Sequence, residues 1–268
     1  MENPTMKLTV LGVRGSMPIE GKKFEFYGGA TSCFKIQAGN EEIYLDAGSG
    51  IVSAKPAPDS RITILLTHMH LDHIIGLPFF AALSQINRSV DIYAKERSGL
   101  NTQAAIDKLI SPPFWPLKVG DYPANINFHD LPKNIFHIGA VTVDFMEGNH
   151  LQGSTIFKLS YFGKSLVYAT DFEHTPKSCA ALANFSKGCD LLLYDAQYKE
   201  KEYDKYRGYG HSTPTAGLEV ADKASSKKIL FVHHDPRRID EELQAMEREV
   251  IGQNKNAAFA KINDEILL

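Results

Sequence analysis

Cysteine is scarce in this sequence: Cys33, Cys179 and Cys189 are the only three in 268 residues, and no two form a Cys-x-x-Cys pair. That excludes a disulfide scaffold and a thiolate-built zinc ribbon, and it suits a reducing compartment. Apolar runs are short, none approaching the roughly 20 residues that span a bilayer. Charge of either sign is not in large excess. The formal net charge is −3, which offers no broad basic field for a nucleic-acid backbone. Low-complexity tracts, linkers and short-period repeats are missing as well. The opening Met1-Glu2-Asn3-Pro4 lacks a basic segment followed by an apolar one, so no secretory signal is expected and the expected location is the cytoplasm.

An apolar fraction of 43% is enough for one large domain over 1–268. Strands are expected at 7–13, at 33–37 and 42–45 as a hairpin, and at 62–66, 90–94, 141–146, 155–161, 165–169, 190–194 and 228–232. Helices are expected at 71–83, 100–110, 178–185, 213–224 and 239–250, and a closing hairpin at 257–268. Antiparallel strands first, then strand–helix alternation, in two similar halves, predict packed sheets with helices outside. The run Ser111-Pro112-Pro113-Phe114-Trp115-Pro116 breaks a helix. It reads equally as a surface loop with a packed tryptophan or as an aromatic wall of a substrate pocket.

The densest chemistry lies in Thr67-His68-Met69-His70-Leu71-Asp72-His73, directly after the apolar run Ile62-Thr63-Ile64-Leu65-Leu66. His68 and His70 alternate in extended chain, so both imidazoles can face one point. Asp72 and His73 follow the bend and can face a second. Structural zinc sites favour cysteine-rich sets, so two ligand pairs of His and Asp point to a two-metal hydrolytic site. Further ligands are available where strands end: Gly148-Asn149-His150, Ala169-Thr170-Asp171 and Val232-His233-His234.

His68-x-His70-x-Asp72-His73, followed by His150, Asp171 and His233, resembles the ligand series of the metallo-β-lactamase superfamily over nearly the whole chain. The resemblance implies an α+β fold, an αββα sandwich of two packed mixed β-sheets flanked by helices. It puts His68, His70 and His150 on a first metal, Asp72, His73 and a late histidine on a second, and Asp171 between them. Of the adjacent pair, His233 fits the late position best, which leaves His234 behind it or facing substrate. The cofactors implied are two divalent ions, zinc first, with manganese or iron as alternatives.

Tyr209-Gly210-His211-Ser212-Thr213 resembles the Gly-His-Ser-Thr motif of ribonuclease Z and related phosphodiesterases. Leu193-Tyr194-Asp195-Ala196 resembles the acidic strand end that pairs with that histidine. The expected catalytic residues are therefore Asp72, His211 and Asp195. The competing reading makes His211 a helix-terminal residue beside the caps Ser212 and Thr213. The resulting expectation is a phosphodiesterase that attacks phosphorus with a metal-activated hydroxide. Asp72 would take the nucleophile's proton, and His211 would stabilise the phosphoryl oxygens or protonate the leaving group. Ribonuclease Z carries a long basic arm, and no such insert separates His150 from Asp171. A small or cyclic phosphodiester is the expected partner, with no large nucleic acid and no membrane. Arg14, Arg237 and Arg238 are candidate phosphate contacts. The alternatives are a metal-dependent lactonase or thioesterase, or a non-catalytic ligand-binding module. The oligomeric state stays open between monomer and homodimer.

Overall fold

Strand-forming segments, rich in Val, Ile, Leu and aromatic residues, sort into two sheets of seven strands in the computed structural model, which describes residues 5–268. Met1–Pro4, searched above for a signal, lies outside the described residues. The strands are β1 (Met6–Gly12), β2 (Cys33–Ala38), β3 (Glu41–Leu45), β4 (Arg61–Leu65), β5 (Ser89–Ala94), β6 (Asn125–Asp130), β7 (Phe136–Ile138), β8 (Val141–Gly148), β9 (Ser154–Tyr161), β10 (Lys164–Ala169), β11 (Leu191–Asp195), β12 (Ile229–Val232), β13 (Ala257–Phe259) and β14 (Glu265–Leu267). One sheet runs β14-β1-β2-β3-β4-β5-β6 and the other β13-β12-β11-β10-β9-β8-β7. In each, three antiparallel pairings are followed by three parallel ones.

Side-chain alternation explains the layering. Ile43 and Leu45 of β3, with Leu166 and Tyr168 of β10, enter the core between the sheets. Tyr44, one position away, packs on the outer face of the first sheet with Ile62 and Ile64. Val167 packs on the outer face of the second with Leu182, Val220 and Leu243. Both faces of the central strands are therefore covered, as parallel strands require. The helices are α1 (Leu71–Ile74), α2 (Thr102–Leu109), α3 (Pro176–Phe185), α4 (Tyr203–Tyr206), α5 (Pro214–Ala224) and α6 (Asp240–Gln253). None is long and apolar enough to cross a membrane. The fold is the expected sandwich of two mixed sheets flanked by helices.

Three local expectations are corrected. The helix expected at 71–83 is one α-helical turn, then 3-10 turns at Leu77–Phe79 and Ala81–Ser84. Pro78 removes a backbone donor there, and Gly76 approaches the Gly48 carbonyl too closely for a Cβ. The closing hairpin does not form: β13 pairs in parallel with β12, whereas β14 pairs antiparallel with β1 in the other sheet. Strands β6 and β7 carry weak apolar patterning and were not anticipated. At α5 the cap is Thr213, whose hydroxyl accepts from Ala216 N at 3.4 Å. Ser212 instead pairs with Tyr194 Oη and His174 Nδ1, each at 2.8 Å.

Candidate metal centre and active site

The chemistry-bearing residues collect at one edge of the sandwich, where β3, β4, β8, β10, β11 and β12 end. Asp46, Asp171 and His233 each leave a strand with positive φ, at 61°, 50° and 62°. That region is sparsely used by residues with a side chain and concentrates at functional sites. The step turns Asp171 and His233 out of the pleat towards the donor cluster, and Asp46 to the rear of His73.

Three groups of donors result, the third being Asp171 with His211 and His233. His68, His70, His150 and Asp171 offer ligand atoms that all lie within 4.8 Å of one another, as do Asp72, His73 and His233. Asp171 faces both. Its Oδ1 lies 3.7 Å from His68 Nε2 and 3.5 Å from His150 Nε2. Its Oδ2 lies 3.1 Å from His73 Nε2 and 3.2 Å from His233 Nε2. Asp72 Oδ2 sits 3.2 Å from both of those nitrogens and accepts the Ser16 amide at 2.7 Å.

The rear nitrogens are held by the protein, and of the front ones His150 Nε2 pairs with His70 Nδ1 at 3.2 Å. His73 Nδ1 donates to Asp46 Oδ2 at 2.7 Å. His68 Nδ1 pairs with the Thr67 hydroxyl at 3.0 Å, and that hydroxyl donates to Asp46. His150 Nδ1 donates to the Gly210 carbonyl at 2.9 Å. With their protons directed backward, these rings present Nε2 lone pairs to the cluster. His68 Nε2 and His73 Nε2 are buried without a hydrogen-bond partner. Converging lone pairs and carboxylates repel unless a cation stands among them, so the donor set fits divalent metal.

The histidines and carboxylates of the cluster also shift one another's protonation. Burial pulls His68 well below the ordinary histidine range. Burial acts the same way on His73, but Asp72, Asp171 and Asp46 outweigh it and raise that group well above the range. His233 is pushed up to about 9, burial being outweighed by Asp171, Asp72 and Asp195. Burial alone would raise Asp171, yet His233, His73 and His68 hold it well below the carboxylate range. Asp72 is likewise held low against burial by His73 and His233.

Beside this cluster, His211 Nδ1 donates to Asp195 Oδ2 at 2.8 Å. The His211 ring stacks on His233, with centroids 4.8 Å apart, and no hydrogen bond among the described residues uses its Nε2. Asp195 is fully buried and also accepts the amides of Gln197 and Ser212, at 3.1 and 3.3 Å. The ring opposite is held in place by close packing. A Cβ on Gly15 would fall 2.3 Å from His233 Nδ1.

Several expected contacts lie elsewhere. His234 is buried, donates from Nε2 to the Ala260 carbonyl at 3.0 Å and stacks on Phe259, so it faces neither cluster nor substrate. Arg14 is fully buried, binding the carbonyls of Gly28, Asp235 and Arg238. Arg237 pairs with Asp235, and Arg238 with Glu202 and Glu242. Arg14 is thus held in the core, whereas the Arg237 side chain is largely exposed. Trp115 packs edge-on against Phe79 and donates to Tyr122 Oη at 3.0 Å. The recess of about 190 Å³ beside His68 and His70 is lined instead by residues such as Met69, Lys95, Arg97 and Leu151. A larger groove of about 250 Å³ against α5 and α6 is away from the donors.

Asp46 is the functional residue that sequence reading missed. It is absent from the ligands expected above, yet it accepts from Thr67 N, Thr67 Oγ1, His73 Nδ1 and Tyr168 Oη. An acid at the end of an apolar strand, the same signal that marked Asp171, was available to find it.

Residues 41–234 match the family model described as the beta-lactamase superfamily domain. A ribonuclease Z of Bradyrhizobium sp. (strain ORS 278) is 25% identical, over 83% of this chain and 90% of its own length. The crystal structure of the metallo-beta-lactamase fold protein YhfI from Bacillus subtilis superposes with a TM-score of 0.77 at 18% identity, covering 99% of this chain and 100% of its own. A diphosphatase of the PhnP family superposes at 0.69 and 19% identity, covering 97% of each chain.

Proposed function

The chain belongs to the beta-lactamase superfamily, and from that premise we propose that it is a metal-dependent phosphodiesterase acting on a small or cyclic phosphodiester. The observation that carries this reading is the His211–Asp195 pair, 2.8 Å apart and stacked against the donor cluster through His233. We assign His68, His70, His150 and Asp171 to one divalent ion, and Asp72, His73, His233 and Asp171 to a second. Zinc is the first candidate. Such ions supply Lewis acidity and bring the pKa of water to about 7.

The protein's own groups supply the rest. Asp195 fixes the His211 tautomer and orientation. When its Nε2 bears a proton, His211 can give it to a departing alkoxide. A carbonyl-ester hydrolase has less need of this donor. Asp72 belongs to holding metal rather than taking protons, because the charges that keep it ionised also weaken it as a base. The relative from Bradyrhizobium is named for ribonuclease activity, so an RNA phosphodiester is the competing substrate. Two features support the smaller one. β9 and β10 are joined by a turn at Phe162–Gly163, with no arm between His150 and Asp171, and the chain carries a formal charge of −3.

The test is hydrolysis of bis(p-nitrophenyl) phosphate, cyclic nucleotides and precursor transfer RNA by zinc- and manganese-loaded protein, with carbonyl esters alongside. Turnover of cyclic nucleotides that is lost in His211→Ala, with a smaller loss on bis(p-nitrophenyl) phosphate, supports the proposal. Preference for transfer RNA would replace the substrate. Turnover of carbonyl esters alone, indifferent to His211, would overturn it.

A further inference from the structure

We propose that Glu173 is a positioning residue for His211, acting through the backbone of Gly208 and Gly210; this rests on the role given to His211 above. Glu173 lies just past Asp171 and is tied to the loop that carries His150. Its amide donates to the Asn149 carbonyl at 2.7 Å, and Asn149 Nδ2 donates to the Glu173 carbonyl at 2.8 Å. From that anchor the carboxylate reaches across the cleft edge. Oε1 accepts the Gly208 amide at 2.6 Å, and Oε2 accepts the Gly210 amide at 3.2 Å.

Gly210 directly precedes His211, and both its backbone polar groups are fixed. Its N–H goes to Glu173, and its carbonyl accepts His150 Nδ1–H at 2.9 Å. No other residue type fits. Its φ is +86°, and a Cβ would meet His150 Nδ1 at 2.1 Å. The other ties on this segment lie at the surface: Arg207 pairs with Asp204 at 2.9 Å and the Tyr209 amide donates to the Tyr206 carbonyl at 3.1 Å, while Arg207, Gly208 and Tyr209 are exposed. Segments with few buried apolar contacts open readily. A carboxylate gripping two amides through charge-assisted bonds is strong enough to hold one in place. The same peptide thus joins a proposed metal ligand, His150, to the proposed proton donor, His211. A displacement of about 1 Å at a catalytic group can cost 100-fold in rate, so the grip on Gly210 bears on turnover even though Glu173 touches no reacting atom.

The experiment uses the zinc-loaded full chain and its Glu173→Ala and Glu173→Gln variants. Amide hydrogen exchange at Gly208 and Gly210 and the ¹⁵N resonances of the His211 ring are measured with metal content. In Glu173→Ala, protection is lost, the His211 resonances shift and zinc content stays at wild type. On a diester with an alkyl leaving group, kcat falls roughly tenfold or more while KM holds. A p-nitrophenyl leaving group, which needs no proton, loses far less. Glu173→Gln keeps one acceptor oxygen and falls between, and it decides the matter if the alanine variant does not fold. Unchanged exchange and ring resonances would overturn the inference. So would equal losses on both leaving groups accompanied by loss of zinc, the mark of a merely structural role. If the wild type cleaves no phosphodiester while Glu173→Ala still releases Gly210 and His211, the proposed function falls and the positioning role stands.

Discussion

The two sheets share one order of pairings yet furnish the site in opposite ways. The first delivers His68, His70, Asp72 and His73 from one loop after β4. The second delivers His150, Asp171, Asp195 and His233 singly, at the ends of β8, β10, β11 and β12. A local cluster depends on the shape of one loop. A distributed one depends on the register of four strands, because a one-residue slip sends a side chain to the other face. On the proposed assignment, the first sheet would supply its metal ligands from one loop, and the second would set the geometry in which metal and His211 meet.

Four experiments press on this contrast. The largest effect is expected from the local cluster: His70→Ala should lose metal and turnover together, read by elemental analysis and the diesterase assay. Retention of full metal content would show that the second sheet holds the ions unaided. Next, His211→Ala on the distributed side should keep its metal and lose about 10²–10⁴-fold in turnover of an alkyl diester. Equal metal loss in the two variants would erase the division of labour. Asp46→Asn, which frees the rear of His73, should weaken metal affinity by about 10–100-fold, seen as a shifted zinc titration with kcat restored at saturation.

The smallest effect separates His233 from its neighbour. His234 is buried, its value lowered to about 3 by burial and by Arg14. The unfolded chain takes up that proton first, near the ordinary value of about 6.5. The contribution of His234 is thus present above 6.5 and lost as pH falls towards 3. His234→Gln should flatten the acid limb of stability between those values, measured by urea midpoints, and leave zinc binding unchanged. An altered zinc titration would bring His234 back among the ligands.

The same contrast explains what could be read from the chain. Four donors within one loop announce themselves by spacing alone. His150, Asp171 and His233 are single polar residues at strand ends, common on any surface, and only their order in a known series singled them out. The two-sheet fold followed from strand periodicity, but β6 and β7 did not, since their faces are half wet. The ends of the chain misled because adjacent short strands suggest a hairpin, whereas β13 and β14 enter different sheets. Arg14 looked like a phosphate contact because nothing local reveals that three distant carbonyls enclose it. Asp46 and Glu173 were missed for a related reason: each acts on residues far away in sequence.

The left-handed steps at Asp46, Asp171 and His233 have a consequence for how the cleft is set apart from the core. Within a strand, every side chain is assigned inward or outward by counting from its neighbour. A residue of positive φ at the strand's end restarts the count. The parity that governs the core stops at Leu45, Ala169 and Val232, and the cleft begins with its own. Asp171 and His233 thus face the cleft whatever the parity of the strand before them, whereas Asp46 stays tied to the core through Tyr168.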